Sequence, residues 1–477
     1  MFKCKKIKSY IINYIMCGIT AILYNIINNG LEIYESLLSI QHRGQDGAGI
    51  SNIIKNGVDT IKNKGLISDL CSYEELLSMK SNIYLAHTRY KTNNVVNCFQ
   101  PFHLQSNNLN MTFCHNGNII NTTDIIHILN NKYNLHNFES ESDSFLLFQL
   151  IFCYLDNIEN NIITTNIIIE LSNFLHETLE GSYSVILGIE NYGIIVMKDK
   201  YGIRPLIYGR NTENDIIISS ESCSVNNLVN YKIINDVMPG ETIVFLQNND
   251  MISYKYKHSL FRPCLFEYIY FSRLDSIFNQ ISVYRFRYLL GELLGKILMK
   301  EKEKLNIDFI IPTPETSRVY AYGMSKIMNI PIQECIIKNR YINRTFIIEN
   351  KDKIDQNIKR KFAVIGEVVK DKTAILIDDS IVRGNTSKNI IKLLKNSGIK
   401  KLIFCSASPK IYNVNRYGIY IENKNELITY KNKTNEDIAN AIGADKVYYN
   451  SLEDIHEIIK HLNPKIDNME ISMFIDN

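Results

Sequence analysis

The sequence predicts an α/β protein in two parts: stacked sheets with helices outside, followed by a doubly wound, mostly parallel sheet. Three observations predict it. Residues 17 to about 250 carry many short strand-like runs separated by Gly and Asn turn signals. From about residue 280 strand-like and helix-like segments alternate. Within that second part an apolar run, Ala374-Ile375-Leu376-Ile377, leads into two adjacent acids, a small-residue loop and a helical pattern.

In the first part the strand-like runs include Ile19–Leu23, Ile83–His87, Ser184–Ile189, Gly193–Met197 and Ile216–Ser219. Ser144–Leu155 is apolar nearly all round, as a helix buried between layers is. These are not successive βαβ units. A polar stretch from Gln247 to His258 marks a linker, giving domains of 17–250 and 260–477 after a leader of 1–16. In the second part helical Tyr288–Lys300 precedes strand Phe309–Ile311, helix Arg318–Met328 and a short strand Gln333–Ile337. Residues 343–372, rich in Lys, Asp and Asn, are too long and polar to pack, which predicts a mobile active-site loop.

Composition narrows the function classes. With 477 residues, 45% hydrophobic and 22% charged, the chain is that of an ordinary soluble protein with room for two cores. The formal charge is +3, and four of the positive charges, Lys3, Lys5, Lys6 and Lys8, precede Cys17; +3 less these four leaves −1. Such a near-neutral body gives no case for nucleic acid. No apolar run approaches the length of a membrane span. The ten cysteines are scattered without a Cys-x-x-Cys pair, so no zinc site or disulfide framework is indicated, and a reducing, cytoplasmic setting is expected.

The segment Asp378-Asp379-Ser380-Ile381-Val382-Arg383-Gly384-Asn385-Thr386-Ser387 carries the strongest functional signal. Ile390, Ile391, Leu393 and Leu394 recur behind it at helical spacing, with Gly398 as the stop. Strand, loop and helix form a unit that sets backbone N–H groups and a helix dipole against an anion. Gly384 permits close approach, Thr386 and Ser387 offer hydroxyls, and Asp378 and Asp379 can accept bonds from sugar hydroxyls. The glycine-lysine signature of the nucleoside-triphosphate loop is missing, so a phosphorylated sugar fits better.

This segment resembles the phosphoribosyl diphosphate (PRPP) motif of type I phosphoribosyltransferases, in the form found in the amidophosphoribosyltransferase family. The resemblance runs from Met16-Cys17-Gly18-Ile19 to Ile442-Gly443-Ala444-Asp445. It implies an N-terminal αββα sandwich of the N-terminal-nucleophile hydrolase type, then the phosphoribosyltransferase sheet. Gln41-His42-Arg43-Gly44-Gln45-Asp46, His87-Thr88-Arg89-Tyr90, His115-Asn116-Gly117-Asn118 and Ser142-Asp143-Ser144 are similar, in order and spacing, to the glutamine amidotransferases of that type. Carried over, Cys17 is the nucleophile and its α-amino group, with a pKa near ~8, is the base. Asn116 and the N–H of Gly117 form the oxyanion hole, Arg89 grips the glutamine carboxylate and Asp143 its α-ammonium. His42, His87 and His115 are expected to be satisfied structural residues.

In the rear half the resemblance assigns the pyrophosphate loop to Ile311–Ser317, with Thr316 near Mg²⁺. Lys338, Arg340 and Tyr341, with Arg344–Ile347, resemble the loop that closes over PRPP. Arg383, Gly384, Asn385, Thr386 and Ser387 bind PRPP, and Asp378 and Asp379 bind ribose hydroxyls and one Mg²⁺ per subunit. Lys91, Leu274, Ala363 and Asn385 depart from the family pattern, and none removes a residue with a proposed chemical role. Cys264 occupies one position of the iron–sulfur ligands of one family branch, but the ligand count fails and no cluster is expected. The implied partners are glutamine, PRPP, inhibitory purine nucleotides and further copies of the chain, as a dimer or tetramer. A glucosamine-6-phosphate synthase shares the front half but lacks the Asp378-Asp379 loop; a PRPP-sensing or catalytically silent homologue is the alternative. The free α-amino group requires an active chain that begins at Cys17. An internal start at Met16 is favoured over a propeptide, and the arginine-free segment 1–16 matches transit peptides poorly.

Overall fold

The computed structural model describes residues 17–55, 57–90, 99–138, 140, 142–158, 162–248, 250–339, 362–418 and 423–476. The leader 1–16 therefore lies outside the described residues. The chain divides into two compact units. One runs to Arg262 and takes in Asn415–Glu422; the other comprises Pro263–Val414 and Asn423–Asn477.

The first unit is built on two antiparallel sheets. The seven-stranded sheet contains β1 (Cys17–Asn28), β2 (Gly47–Ile54), β3 (Gly57–Lys64), β4 (Ser81–Arg89), β9 (Ile207–Arg210), β10 (Ile216–Ser219) and β11 (Lys232–Asp236). Its order is β11-β9-β10-β1-β4-β2-β3. The six-stranded sheet contains β5 (Phe102–Gln105), β6 (Asn110–Ile119), β7 (Gly181–Ile189), β8 (Gly193–Lys198), β12 (Glu241–Leu246) and β13 (Met251–Lys255). Its order is β13-β12-β8-β7-β6-β5.

Alternation sorts the side chains into layers. Ile19, Ala21 and Leu23 of β1 join Ile83, Leu85, Cys114, Ile186 and Val196 in one buried cluster between the sheets. Met111 and Phe113 of β6 face the other way, into a second cluster with helices Thr122–Tyr133, Asp143–Asp156 and Thr165–Thr178. The helix Leu31–Ser39 covers the seven-stranded sheet, where Thr20 and Ser36 share a hydroxyl hydrogen bond of 2.7 Å. The result is the αββα sandwich that the sequence predicts. The stretch expected to be a linker is instead a hairpin: β13 pairs with β12 from Glu241↔Lys255 to Phe245↔Met251. Its polarity is that of an edge strand, with Met251, Ser253 and Lys255 exposed.

In the second unit β14 (Ile277–Phe278) and β15 (Ile281–Ser282) form a small hairpin before the helix Val283–Met299. That helix crosses Arg318–Met328 closely, because a Cβ on Gly291 or Gly323 would come within 2.0 Å of a carbonyl oxygen of the other helix. The main sheet is parallel, in the order β16 (Phe309–Pro312), β19 (Thr373–Asp378), β20 (Lys401–Ser406), β21 (Lys446–Tyr449). A parallel bridge of Ile310 to Ile332 lies outside these four strands. The chain thus leaves β16 toward one side and returns as β19 on the other. That switch point sets a crevice at the carboxyl ends of β16 and β19, where open α/β sheets bind ligands.

Two expectations change here. The strand expected over Gln333–Ile337 is β17 (Ile336–Lys338), paired antiparallel with β18 (Phe362–Val364) in a separate ribbon. The expected mobile loop is packed at its C-terminal end. Phe362 and Val369 are buried, and Gly366–Val369 is helical. Phe362 and Val369, with Val364 and Val368 packed against the same core, anchor that end despite the polar composition. Residues 340–361 lie outside the described residues.

Candidate active sites

The front constellation assembles at one end of the sandwich. Cys17 opens β1 and pairs in register with Arg89 of β4, which in turn pairs with Gly47 of β2. Asn116 of β6 enters from the other sheet: its Oδ1 accepts the Cys17 N–H at 3.2 Å. Its Nδ2 is buried and has no hydrogen-bond acceptor among the described residues. The next residue is glycine for a steric reason, since a Cβ on Gly117 would lie 2.1 Å from the Ser182 carbonyl oxygen. An amide donor and a following backbone N–H so placed suit a developing oxyanion.

Asp143 starts the helix Asp143–Asp156, whose N-cap Ser142 accepts from the Phe145 N–H. Its Oδ2 accepts the Ile119 N–H at 3.1 Å, tying the helix start to β6. Arg89 is buried and lies over the Phe99 ring at 5.3 Å, and its Nε has no hydrogen-bond partner among the described residues. Burial pushes the Cys17 thiol up to about 12, against the opposing pull of the Tyr90 backbone and the Arg89 charge. The thiol therefore stays protonated at neutral pH unless a base takes its proton.

His42 and His115 have the polar partners expected of structural histidines, and His87 has none among the described residues. His42 meets the buried Glu221 carboxylate at 2.7 Å. His115 bonds Ser144 Oγ through Nδ1 at 2.8 Å, and a hydrogen bond to the Ser182 backbone partly offsets the lowering of its pKa by burial. His87 is buried with neither ring nitrogen partnered among the described residues, and burial, then the Arg89 charge, hold it neutral with a pKa well below the usual range. Sequence motifs place a histidine without showing what its nitrogens reach.

Sequence reasoning also missed Arg43 and Glu221. Arg43 Nε donates to the Cys17 carbonyl at 3.0 Å, and Nη1 donates to Glu221 Oε1 at 2.5 Å; both side chains are fully buried. This pair fixes the backbone of Cys17. Arg43 stood inside the quoted Gln41–Asp46 motif, whereas Glu221 had no pattern around it.

The rear constellation sits in the crevice between β16 and β19. Asp378 Oδ1 accepts from Ser317 Oγ at 3.0 Å and from the Asp379 N–H at 2.9 Å. Asp379 accepts from Thr316 Oγ1 and Ser380 Oγ, each at 2.7 Å. Burial pushes both carboxyls up, and for Asp378 the neighbouring Asp379 charge adds to it. Thr313 Oγ1, in the same loop as Thr316 and Ser317, is buried with no hydrogen-bond partner among the described residues. Arg287, another residue missed in sequence, is buried in the helix Val283–Met299. It donates to the Tyr268 and Ser272 carbonyls at 2.8 Å each, and its charge opposes the rise of Asp379.

Gly384 caps the helix Asn385–Asn396 at φ +79°, and a Cβ there would lie 2.6 Å from Ile428 Cδ1. Asn385 and Thr386 are exposed on the first turn and Ser387 is buried, so the turn presents backbone N–H groups that lack helical partners. Arg383 is engaged by Glu426 at 2.5 Å. Lys338 ends β17 in the separate ribbon, and Arg340 and Tyr341 lie outside the described residues. Among the described residues no group of three His, Cys, Asp or Glu could hold a metal, and no helix is long and apolar enough to cross a membrane.

Fold and sites together define a glutamine amidotransferase joined to a phosphoribosyltransferase. Residues 87–227 match the glutamine amidotransferase domain and residues 285–411 the phosphoribosyl transferase domain. The amidophosphoribosyltransferase of Pasteurella multocida is 35% identical over 467 residues, covering 96% of this chain and 92% of its own. That of Methanocaldococcus jannaschii is 36% identical over 464 residues, covering 93% and 94%. Among solved structures, the glutamine PRPP amidotransferase from B. subtilis, complexed with ADP and GMP, superposes with a TM-score of 0.82 at 30% identity, covering 94% of each chain. The chain belongs to the amidophosphoribosyltransferase family. Its activity is glutamine-dependent amidophosphoribosyl transfer, the first step of purine biosynthesis, and nothing in the comparisons favours a PRPP-sensing or silent homologue.

Proposed function

We propose that Cys17, exposed as the first residue of the active chain, is the glutaminase nucleophile, and that Asp378 and Asp379 hold PRPP in the rear crevice. The observation that carries the front reading is Asn116, whose Oδ1 meets the Cys17 nitrogen while its buried Nδ2 is left to donate. The freed α-amino group takes the thiol proton, and sulfur attacks the side-chain carbonyl carbon of glutamine. Asn116 Nδ2 and the Gly117 N–H receive the negative oxygen. The tetrahedral centre expels its nitrogen as ammonia, protonated by the α-ammonium group, leaving a thioester that water opens to glutamate and the free thiol. Arg89 forks onto the substrate carboxylate and Asp143 takes its α-ammonium.

In the rear crevice Asp378 and Asp379 accept from the ribose hydroxyls, and the helix start at Asn385, Thr386 and Ser387 receives phosphate oxygens. Ammonia displaces pyrophosphate at the anomeric carbon, giving phosphoribosylamine. Lys338, Arg340, Tyr341 and Arg383 supply further contacts to PRPP. The donor set fits Mg²⁺: two carboxyls pushed up by burial, with the Thr316 hydroxyl beside them, suit a hard cation that takes its other oxygens from substrate and water. When bound, the ion neutralises the charge of the departing pyrophosphate. Purine nucleotides as inhibitors, a homo-oligomer, and a cytoplasmic setting complete the reading, the first supported by the ADP and GMP in the B. subtilis protein.

Treatment with an electrophilic glutamine analogue tests the front half. The label is expected on one thiol only, in a peptide that begins at Cys17. A label on another cysteine, or full activity with residues 1–16 attached, contradicts the assignment.

A further inference from the structure

The segment Asn415–Glu422 belongs to the first unit although it follows more than a hundred residues of the second. Its described part meets the strand pair behind the oxyanion donors. Three donors converge on the Tyr417 carbonyl: Arg204 Nε at 3.1 Å, Arg204 Nη2 at 2.5 Å and Ser182 Oγ at 2.8 Å. Ser182 Oγ in turn accepts the Asn118 N–H at 3.2 Å, and Asn118 Nδ2 donates to the Arg416 carbonyl at 3.0 Å, across 298 residues. The Tyr417 N–H donates to Asn415 Oδ1 at 2.8 Å, which fixes the turn that presents the carbonyl.

Register links this cluster to the site. Asn116, Gly117 and Asn118 face Ser184, Tyr183 and Ser182 across the β6–β7 pair. Ser184 Oγ donates to the Arg204 carbonyl at 3.2 Å, so Arg204 holds β7 through its backbone and Tyr417 through its guanidinium. The Arg204 side chain is wholly buried and among the largest in the protein to be so. The two strands run close here, since a Cβ on Gly117 would lie 2.1 Å from the Ser182 carbonyl oxygen.

We propose that Arg204 is a positioning residue of the glutaminase reaction. Through the Tyr417 carbonyl and Ser182 it fixes the strand that presents Asn116 and Gly117, which makes 415–418 a part of the front site. The proposal rests on the reading of Asn116 and Gly117 as oxyanion donors. A donor displaced by a fraction of an ångström serves the transition state less while ground-state binding by Arg89 and Asp143 persists.

The test is made in the full chain. Arg204→Met is expected to lower glutaminase kcat by about 10- to 100-fold, less than outright loss of an oxyanion donor, with KM within about 3-fold. Ser182→Ala should lower kcat in the same sense by a smaller factor, and Arg204→Lys should recover part of the Arg204→Met loss. Pyrophosphate release supported by ammonium salts should keep its wild-type rate in all three. Unchanged kcat in Ser182→Ala, which keeps its fold if Arg204→Met does not, overturns the proposal. So does a fall in the ammonium-supported rate equal to the fall in glutaminase kcat. Failure of the underlying site reading is seen separately, as glutamine hydrolysis that survives Asn116→Ala.

Discussion

Cys17→Ala is expected to be inert with glutamine, losing on the order of 10⁴-fold or more in its hydrolysis, the scale on which removal of a covalent nucleophile acts. The same variant should form phosphoribosylamine from PRPP and ammonium salts at raised pH, where NH₃ is available. The physical reason is the separation of the chemistry. Cys17, Asn116 and Arg89 lie in one compact unit, and Asp378, Asp379 and Thr316 in the other. The substitution removes only the sulfur, and the β1 pairing with β4 that holds the backbone remains. Pyrophosphate release measured with each nitrogen source checks this. Failure of ammonium to rescue the variant means that the sites are not separable as described.

The double variant Asp378→Asn, Asp379→Asn should lose PRPP turnover with either nitrogen source while keeping slow glutaminase activity. Asparagine preserves an acceptor for Ser317, Thr316 and Ser380 but removes the charge that suits ribose hydroxyls and Mg²⁺. Stability should move the other way. A carboxyl whose pKa is raised by folding favours the folded state below its unfolded value, and that contribution is lost as pH rises through the folded value. At neutral pH the two raised carboxyls therefore oppose folding, and the neutral pair does not. The variant should melt at or above the wild-type Tm without ligand, and Mg²⁺ with PRPP should raise the Tm of the wild type alone. A variant that still turns over PRPP, or still gains Tm from it, would remove the rear site from these residues.

Much of this architecture was legible in the sequence because it rests on periodicity and punctuation. The helix Arg318–Met328 and the strand Ile216–Ser219 have the bounds read from the sequence, each an apolar pattern with a clear stop. The meeting of Cys17 with Asn116 was legible through ordered motifs rather than pattern, since the two belong to different sheets. What escaped has a common cause. Glu221, Arg204 and Arg287 are single charged residues within buried surroundings, and their partners are backbone carbonyls or residues distant in sequence. No local signal marks such a contact. Polar composition misled at β13 and at Phe362–Val369, where an edge strand and a short anchor of one Phe and three Val need little apolar surface. That the His87 nitrogens meet no partner among the described residues has no sequence signature either.

The most direct measurement is the stoichiometry of glutamate and pyrophosphate formed by the purified protein from glutamine, PRPP and Mg²⁺. One glutamate per pyrophosphate is expected, with pyrophosphate release dependent on glutamine when ammonia is absent. Pyrophosphate release indifferent to glutamine, or glutamate formed with no pyrophosphate at saturating PRPP, would contradict a two-site amidophosphoribosyltransferase.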